Sequence, residues 1–127
     1  FRRVLFRSRK VLVVDDDSLH ARTLCRTLAF LGYATVTAKS LSESLRRLAD
    51  CEPPVGLTIV NTGLPGRGAE EIARRVRSEY PETKLMIISG AADDYLRSIK
   101  GQAKPDGVLL KPFDRASLFA SLVEVFN

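Results

Sequence analysis

The sequence predicts an α/β domain in which helices cover both faces of a parallel sheet. Two observations carry this reading. Short apolar runs alternate five times with longer amphipathic ones, and capping or turn residues separate nearly every pair. Parallel neighbours need a covering connection between them, which the amphipathic stretches supply. At 127 residues the chain is the size of one domain, able to bury about two-thirds of its unfolded surface.

The elements follow in order. Residues 11–14, after Lys10, form a continuous apolar run suited to a strand buried on both faces. Asp15, Asp16, Asp17 and Ser18 end it and offer a capping side chain for a helix. Leu19, Leu24, Leu28 and Leu31 then recur at helical spacing until Gly32. Residues 34–37 are a β-branched second strand. Ser40 with Glu43 reads as a capping box ahead of Leu41, Leu45 and Leu48, and Pro53-Pro54 closes that helix.

Residues 57–60 are the third strand, leading into the turn-rich loop at 61–68. A helix at 69–80 presents Ile72, Val76 and Tyr80 inward, and Pro81 breaks it. Residues 85–88 are the fourth strand, with Ser89-Gly90 and a weaker helix near 93–100 behind it. Residues 108–110 are the fifth strand and run into Lys111-Pro112-Phe113. Asp114 caps a last helix bearing Leu118, Phe119, Leu122, Val123 and Phe126. Repeats and low-complexity tracts are missing from this pattern.

Composition narrows the function classes. Hydrophobic residues make up 45% and charged residues 28%, as in globular domains. No apolar run approaches the roughly 20 residues of a membrane span, and a secretory leader is not expected. Cys25 and Cys51 have neither CxxC nor metal-ligand spacing, so two reduced thiols in a cytoplasmic protein are expected. The net charge of +5 invites a nucleic-acid partner. However, residues 1–8, FRRVLFRS, read like a translated sequencing adapter, a non-native leader ahead of a domain at 9–127. Without Arg2, Arg3 and Arg7, 17 basic residues face 15 acidic ones, and the excess of +2 argues for no direct nucleic-acid contact.

In open α/β sheets, chemistry gathers at the carboxyl ends of the strands. The first strand delivers Asp15 and Asp16 there, the third Asn61, the fourth Ser89 and the fifth Lys111. Adjacent carboxylates repel by about 4 kcal/mol at 4 Å and an effective dielectric near 20, which a hard cation such as Mg²⁺ relieves. Taken singly, each residue has a plainer reading. Paired acids also make helix caps, Ser-Gly makes turns, and Lys-Pro is commonly solvated.

The motifs VLVVDDD, IVNTGLPGRG, LMIISG and LLKPF, in this order and at these intervals, resemble the response-regulator receiver domain from Lys10 to the C-terminus. The resemblance implies a flavodoxin-like doubly wound sheet with strand order 2-1-3-4-5. It implies that Asp15, Asp16 and the Gly63 carbonyl hold Mg²⁺. Ser89 would be the hydroxyl that approaches a phosphoryl group, Lys111 its cationic partner, and Pro112 would follow a cis peptide bond. Such domains take phosphate from a histidine kinase or phosphotransfer protein onto an aspartate, and the new charge biases a two-state surface.

Asn61 stands at the acceptor position. An amide cannot form the acyl phosphate, so transfer should fail, Mg²⁺ should be weakened, and Lys111 should keep a hydrogen bond in place of an ion pair. Deamidation before Thr62 should be slow. Val108 replaces the family's frequent aromatic, and the loop Pro65-Gly66-Arg67-Gly68 is one residue shorter than the common form. Two explanations compete: a pseudo-receiver used as a binding module, or an ordinary acceptor, such as a hybrid-kinase receiver, whose aspartate was lost by error or engineering.

A haloacid-dehalogenase-like phosphatase would use Asp15 and Asp17 as its D-x-D, but lacks the later acidic pair. A flavodoxin-like nucleotide binder would want glycine and hydroxyls where three aspartates stand. His20 reads as a surface residue, and Arg74, Arg75 and Arg77 as a solvated helix face. The excess apolar residues of the last helix, with the neighbouring fourth strand, are the expected surface for an output domain or partner protein.

Overall fold

A computed structural model describes residues 10–90 and 104–126. Five strands, β1 Lys10–Val14, β2 Ala34–Ala38, β3 Val55–Asn61, β4 Lys84–Ser89 and β5 Gly107–Leu110, form one parallel sheet in the order β2-β1-β3-β4-β5. Four helices are described: α1 Ser18–Phe30, α2 Leu41–Asp50, α3 Gly68–Glu79 and α4 Arg115–Phe126. The helix expected near 93–100 and the leader at 1–8 lie outside the described residues.

Strand alternation divides the core between the two faces of the sheet. Val11, Val13, Leu57, Ile59, Met86 and Ile88 pack on one side with Leu24 and Leu28 of α1 and Leu118 and Leu122 of α4. Leu12, Val14, Val60, Leu85 and Ile87 pack on the other with Leu48 of α2 and Ile72 and Val76 of α3. The central strand β3 is buried along all seven residues, as a strand covered on both faces must be. Close packing holds β5 to α4: a Cβ on Gly107 would lie 2.7 Å from Val125 Cγ2.

Caps form where the side chains predict them. Asp17 accepts from the N–H groups of Leu19 and His20, Ser40 from that of Glu43, and Asp114 from that of Ser117. α2 ends at Asp50, ahead of Pro53-Pro54, because Cys51 turns into extended backbone after its N–H reaches Arg47 O.

Four expectations change. The buried stripe of α1 is Ala21, Leu24 and Leu28, while Leu19 is 71% exposed. With helix entry fixed at Asp17, Leu19 lies about 200° around the axis from Ala21. In α4 the buried stripe is Leu118, Leu122 and Val125, the last not among the apolar residues named from sequence, while Val123 is exposed in keeping with the expected apolar excess. β4 is interior and buried from Leu85 to Ser89, so it offers no surface beside α4; the large apolar residue exposed on a strand is Leu110 of β5. Arg77 is no part of a solvated face: it pairs with Asp106 at 2.9 Å and donates to Lys104 O, tying α3 to the approach of β5. Arg74 and Arg75 do stay on the surface, paired with Glu71 and Glu79.

Candidate functional site

The polar residues read from separate strands converge because the sheet register brings them side by side. Val14 pairs with Val60, Asn61 with Ile88, and Ser89 with Leu110. Asp15, Asn61, Ser89 and Lys111 therefore follow one another across the carboxyl edge. Asp15 is held at the strand end by its N–H to Ala38 O, and Lys111 by its N–H to Ser89 O.

Asn61 is the hub. Its Nδ2 donates to Asp15 Oδ2 at 3.0 Å, while its Oδ1 accepts from Lys111 Nζ at 3.1 Å and from the Gly63 N–H at 3.0 Å. This orientation is dictated by its neighbours: one is a pure acceptor and two are pure donors, and a flipped amide would face like with like. Asn61 is 8% exposed; its bond to Asp15 is buried, and those to Lys111 and Gly63 are partly buried.

Asp15 accepts three donors. Oδ1 takes the Asp17 N–H at 2.9 Å, and Oδ2 takes both Asn61 Nδ2 and His20 Nδ1, the last at 2.5 Å. Burial pushes the Asp15 carboxyl up, but the His20 hydrogen bond, the Asp17 N–H, the Asn61 amide and the His20 charge together hold it below its ordinary 3.8.

His20 corrects the surface assignment made from sequence. Its side chain is 32% exposed and anchored on a buried acid. The signal was present in the cap: with Asp17 as N-cap, residue 20 falls in the first helical turn, directly over the strand end that carries Asp15.

Of the other predicted site residues, Ser89 is buried at the end of β4, beside the base of Lys111. Asp16 is exposed next to Asp15, and Gly63 lies exposed in the loop after β3. The Lys111–Pro112 peptide bond is cis. Asp17, the second acid a D-x-D phosphatase would need, is committed to capping α1. Among the described residues no three acidic, histidine or cysteine groups cluster as a metal site. No described helix is long and apolar enough to cross a membrane.

Together, fold and site define a doubly wound α/β domain with an acid–amide–lysine pocket at its strand ends. The chain matches the family model of the response regulator receiver domain over residues 11–123, and it belongs to that family, the receiver modules of two-component signalling. It is 33% identical over 109 residues to a response regulator receiver protein of Anaeromyxobacter sp. (strain Fw109-5), covering 86% of this chain and 42% of that protein. It is 28% identical over 121 residues to the sensor kinase CckA of Brucella abortus (strain 2308), covering 94% of this chain and 13% of the kinase. The chain thus spans less than half the length of these relatives. Its fold superposes, with a TM-score of 0.83 and 24% identity, on the signal receiver domain of an HD domain-containing protein from Pseudomonas fluorescens Pf-5, covering 94% of each chain.

Receiver domains typically bind Mg²⁺ at the acidic pocket. The donors that the resemblance assigns to it, the Asp15 and Asp16 carboxylates and the Gly63 carbonyl, are all oxygens and suit a hard cation in kind.

Proposed function

We propose that this chain is a receiver that does not accept phosphate at Asn61 and works by binding other proteins of a two-component pathway. The carrying observation is the closed set of bonds around the Asn61 amide. Lys111 and Asp15, which in an ordinary receiver would flank a reactive carboxylate, both spend their bonds on a group that cannot attack phosphorus. The neutral amide also leaves the pocket one negative charge short of an acceptor carboxylate, and so weakens Mg²⁺ at Asp15, Asp16 and Gly63. Ser89 and Lys111 remain in place for a phosphoryl group that Asn61 cannot receive.

Partners of the expected kind are a histidine kinase or phosphotransfer protein and an output domain, in the cytoplasm. The surfaces offered for binding are the outer side of α4, where Val123 is 39% exposed, and the edge strand β5, where Leu110 is 51% exposed. Alanine at both positions should weaken binding to a cognate kinase or output domain at least tenfold, and unchanged affinity would remove these surfaces from the proposal.

The direct test is intact-mass analysis after acetyl phosphate and Mg²⁺. The chain as it stands should gain no mass, and Asn61→Asp should gain one phosphate. A stable adduct on the unmodified chain would overturn the reading. A second reading, an ordinary receiver whose aspartate was lost by substitution, is favoured by the survival of Asp15, Asp16, Ser89 and Lys111. It is distinguished by whether Asn61→Asp restores transfer from a cognate kinase as well as from acetyl phosphate.

A further inference from the structure

We infer that His20 is a built-in competitor for the divalent cation at this pocket, and that removing its ring strengthens cation binding. The inference rests on the receiver reading of the Asp15, Asp16 and Gly63 set, and goes beyond it by giving a role to a residue of α1.

Asp15 is the one buried carboxylate of the set, 3% exposed. A carboxylate oxygen has two lone-pair directions, and those of Oδ2 are filled by His20 Nδ1 at 2.5 Å and Asn61 Nδ2 at 3.0 Å. Oδ1 already accepts the Asp17 N–H. The Asn61 oxygen is likewise filled, by the Gly63 N–H and Lys111 Nζ. A cation that uses Asp15 Oδ2 must therefore displace a donor.

Only one of these donors can leave cheaply. The Asp17 N–H belongs to the backbone that starts α1, and the Asn61 side chain is fixed at its other end by Gly63 and Lys111. His20 is held by its ring nitrogen at the rim, is one-third exposed, and can swing outward about two side-chain bonds without moving the helix. Because an ionised Asp15 only accepts, Nδ1 carries the proton in this contact. The ring therefore offers the carboxylate a donor where a metal would otherwise offer charge.

His20 is the chain's only histidine, so its ring can be followed without assignment ambiguity. The experiment titrates MgCl₂, at constant ionic strength and neutral pH, into the unmodified chain, His20→Ala and His20→Leu. Calorimetry gives Kd, and the His20 ring resonances of the unmodified chain are read by NMR. Both variants should bind Mg²⁺ about tenfold more tightly than the parent, the loss expected when one hydrogen bond to a charged group no longer competes. Where the parent binds, its ring signals should move with the same Kd. The leucine variant keeps the bulk of the side chain should alanine unsettle α1, and the NMR titration needs no variant.

Equal affinities in all three proteins, absence of binding in all three, or binding to the parent with an unmoved ring would overturn the inference. Phosphate uptake by Asn61→Asp is a separate measurement. If it succeeds while the His20 variants change nothing, the receiver reading stands and the role given to His20 falls.

Discussion

Placing a carboxylate at position 61, the residue that the proposed function takes to be the acceptor, should destabilise the chain in the absence of divalent cations. Asn61→Asp replaces a 3.0 Å donor–acceptor contact with Asp15 by two like charges at that distance. At an effective dielectric near 20 the repulsion is about 5.5 kcal/mol before relaxation. The new attraction to Lys111, at 3.1 Å, is of nearly the same size, but it replaces a hydrogen bond that already exists. The two charge terms thus come close to cancelling. What remains is the lost bond from the amide to the ionised Asp15, roughly 1.5–3 kcal/mol. A net loss of about 2 kcal/mol lowers Tm by roughly 6–10 °C in a chain of this size. Thermal melts with a chelator and then with Mg²⁺ test this. The variant should melt lower than the parent in chelator and recover most of the difference with Mg²⁺, while the parent responds weakly. A variant that is as stable as the parent in chelator would refute the role given to the amide.

Two further outcomes follow from buried polar groups. Thr58 is fully buried in β3, and its Oγ1 has no hydrogen-bond partner among the described residues. Thr58→Val should therefore raise the denaturant midpoint by about 1 kcal/mol of stability with an unchanged m-value, and a lower midpoint would show the hydroxyl to be satisfied. Asp15 has a folded-state pKa below its ordinary 3.8, so its contribution is present above that value and is lost as pH falls from there through the folded pKa. The stability gap between the parent and Asp15→Asn should then shrink on acidification below about pH 4, with the other acids common to both proteins; a gap independent of pH would contradict the depressed carboxyl.

The strands were legible because their signal is local: a short apolar run flanked by capping or turn residues survives whatever packs on it. Strand order was not legible from periodicity and came from the resemblance carried by VLVVDDD and LLKPF. Where sequence reasoning failed, it failed on angles and on distant partners. Leu19 looked like part of a stripe until the cap at Asp17 fixed the helical phase. Arg77 looked solvated because Asp106, 29 positions along the chain, is invisible as a neighbour until β5 is laid beside β4. His20 was missed for the opposite reason. Its partner is only five residues away, but the contact crosses from a strand end to a helix, where neither the period of 2 nor that of 3.6 applies.

That junction also explains why a single substitution at position 61 reaches so far. Asp15 and Lys111 have opposite charges on different strands, and the sheet register alone does not join them. The side chain at 61 decides whether they are bridged through an amide, with donor toward Asp15 and acceptor toward Lys111, or split by a third charge that calls for a cation. An amide satisfies both neighbours at once and leaves the pocket electrically closed. A carboxylate satisfies only Lys111 and leaves Asp15 facing a like charge. On the function proposed above, the geometry that would keep an aspartate here in need of a cation and a phosphoryl group makes an asparagine here a lock. His20 strengthens that lock from the helix side by filling the remaining acceptor direction of Asp15 Oδ2.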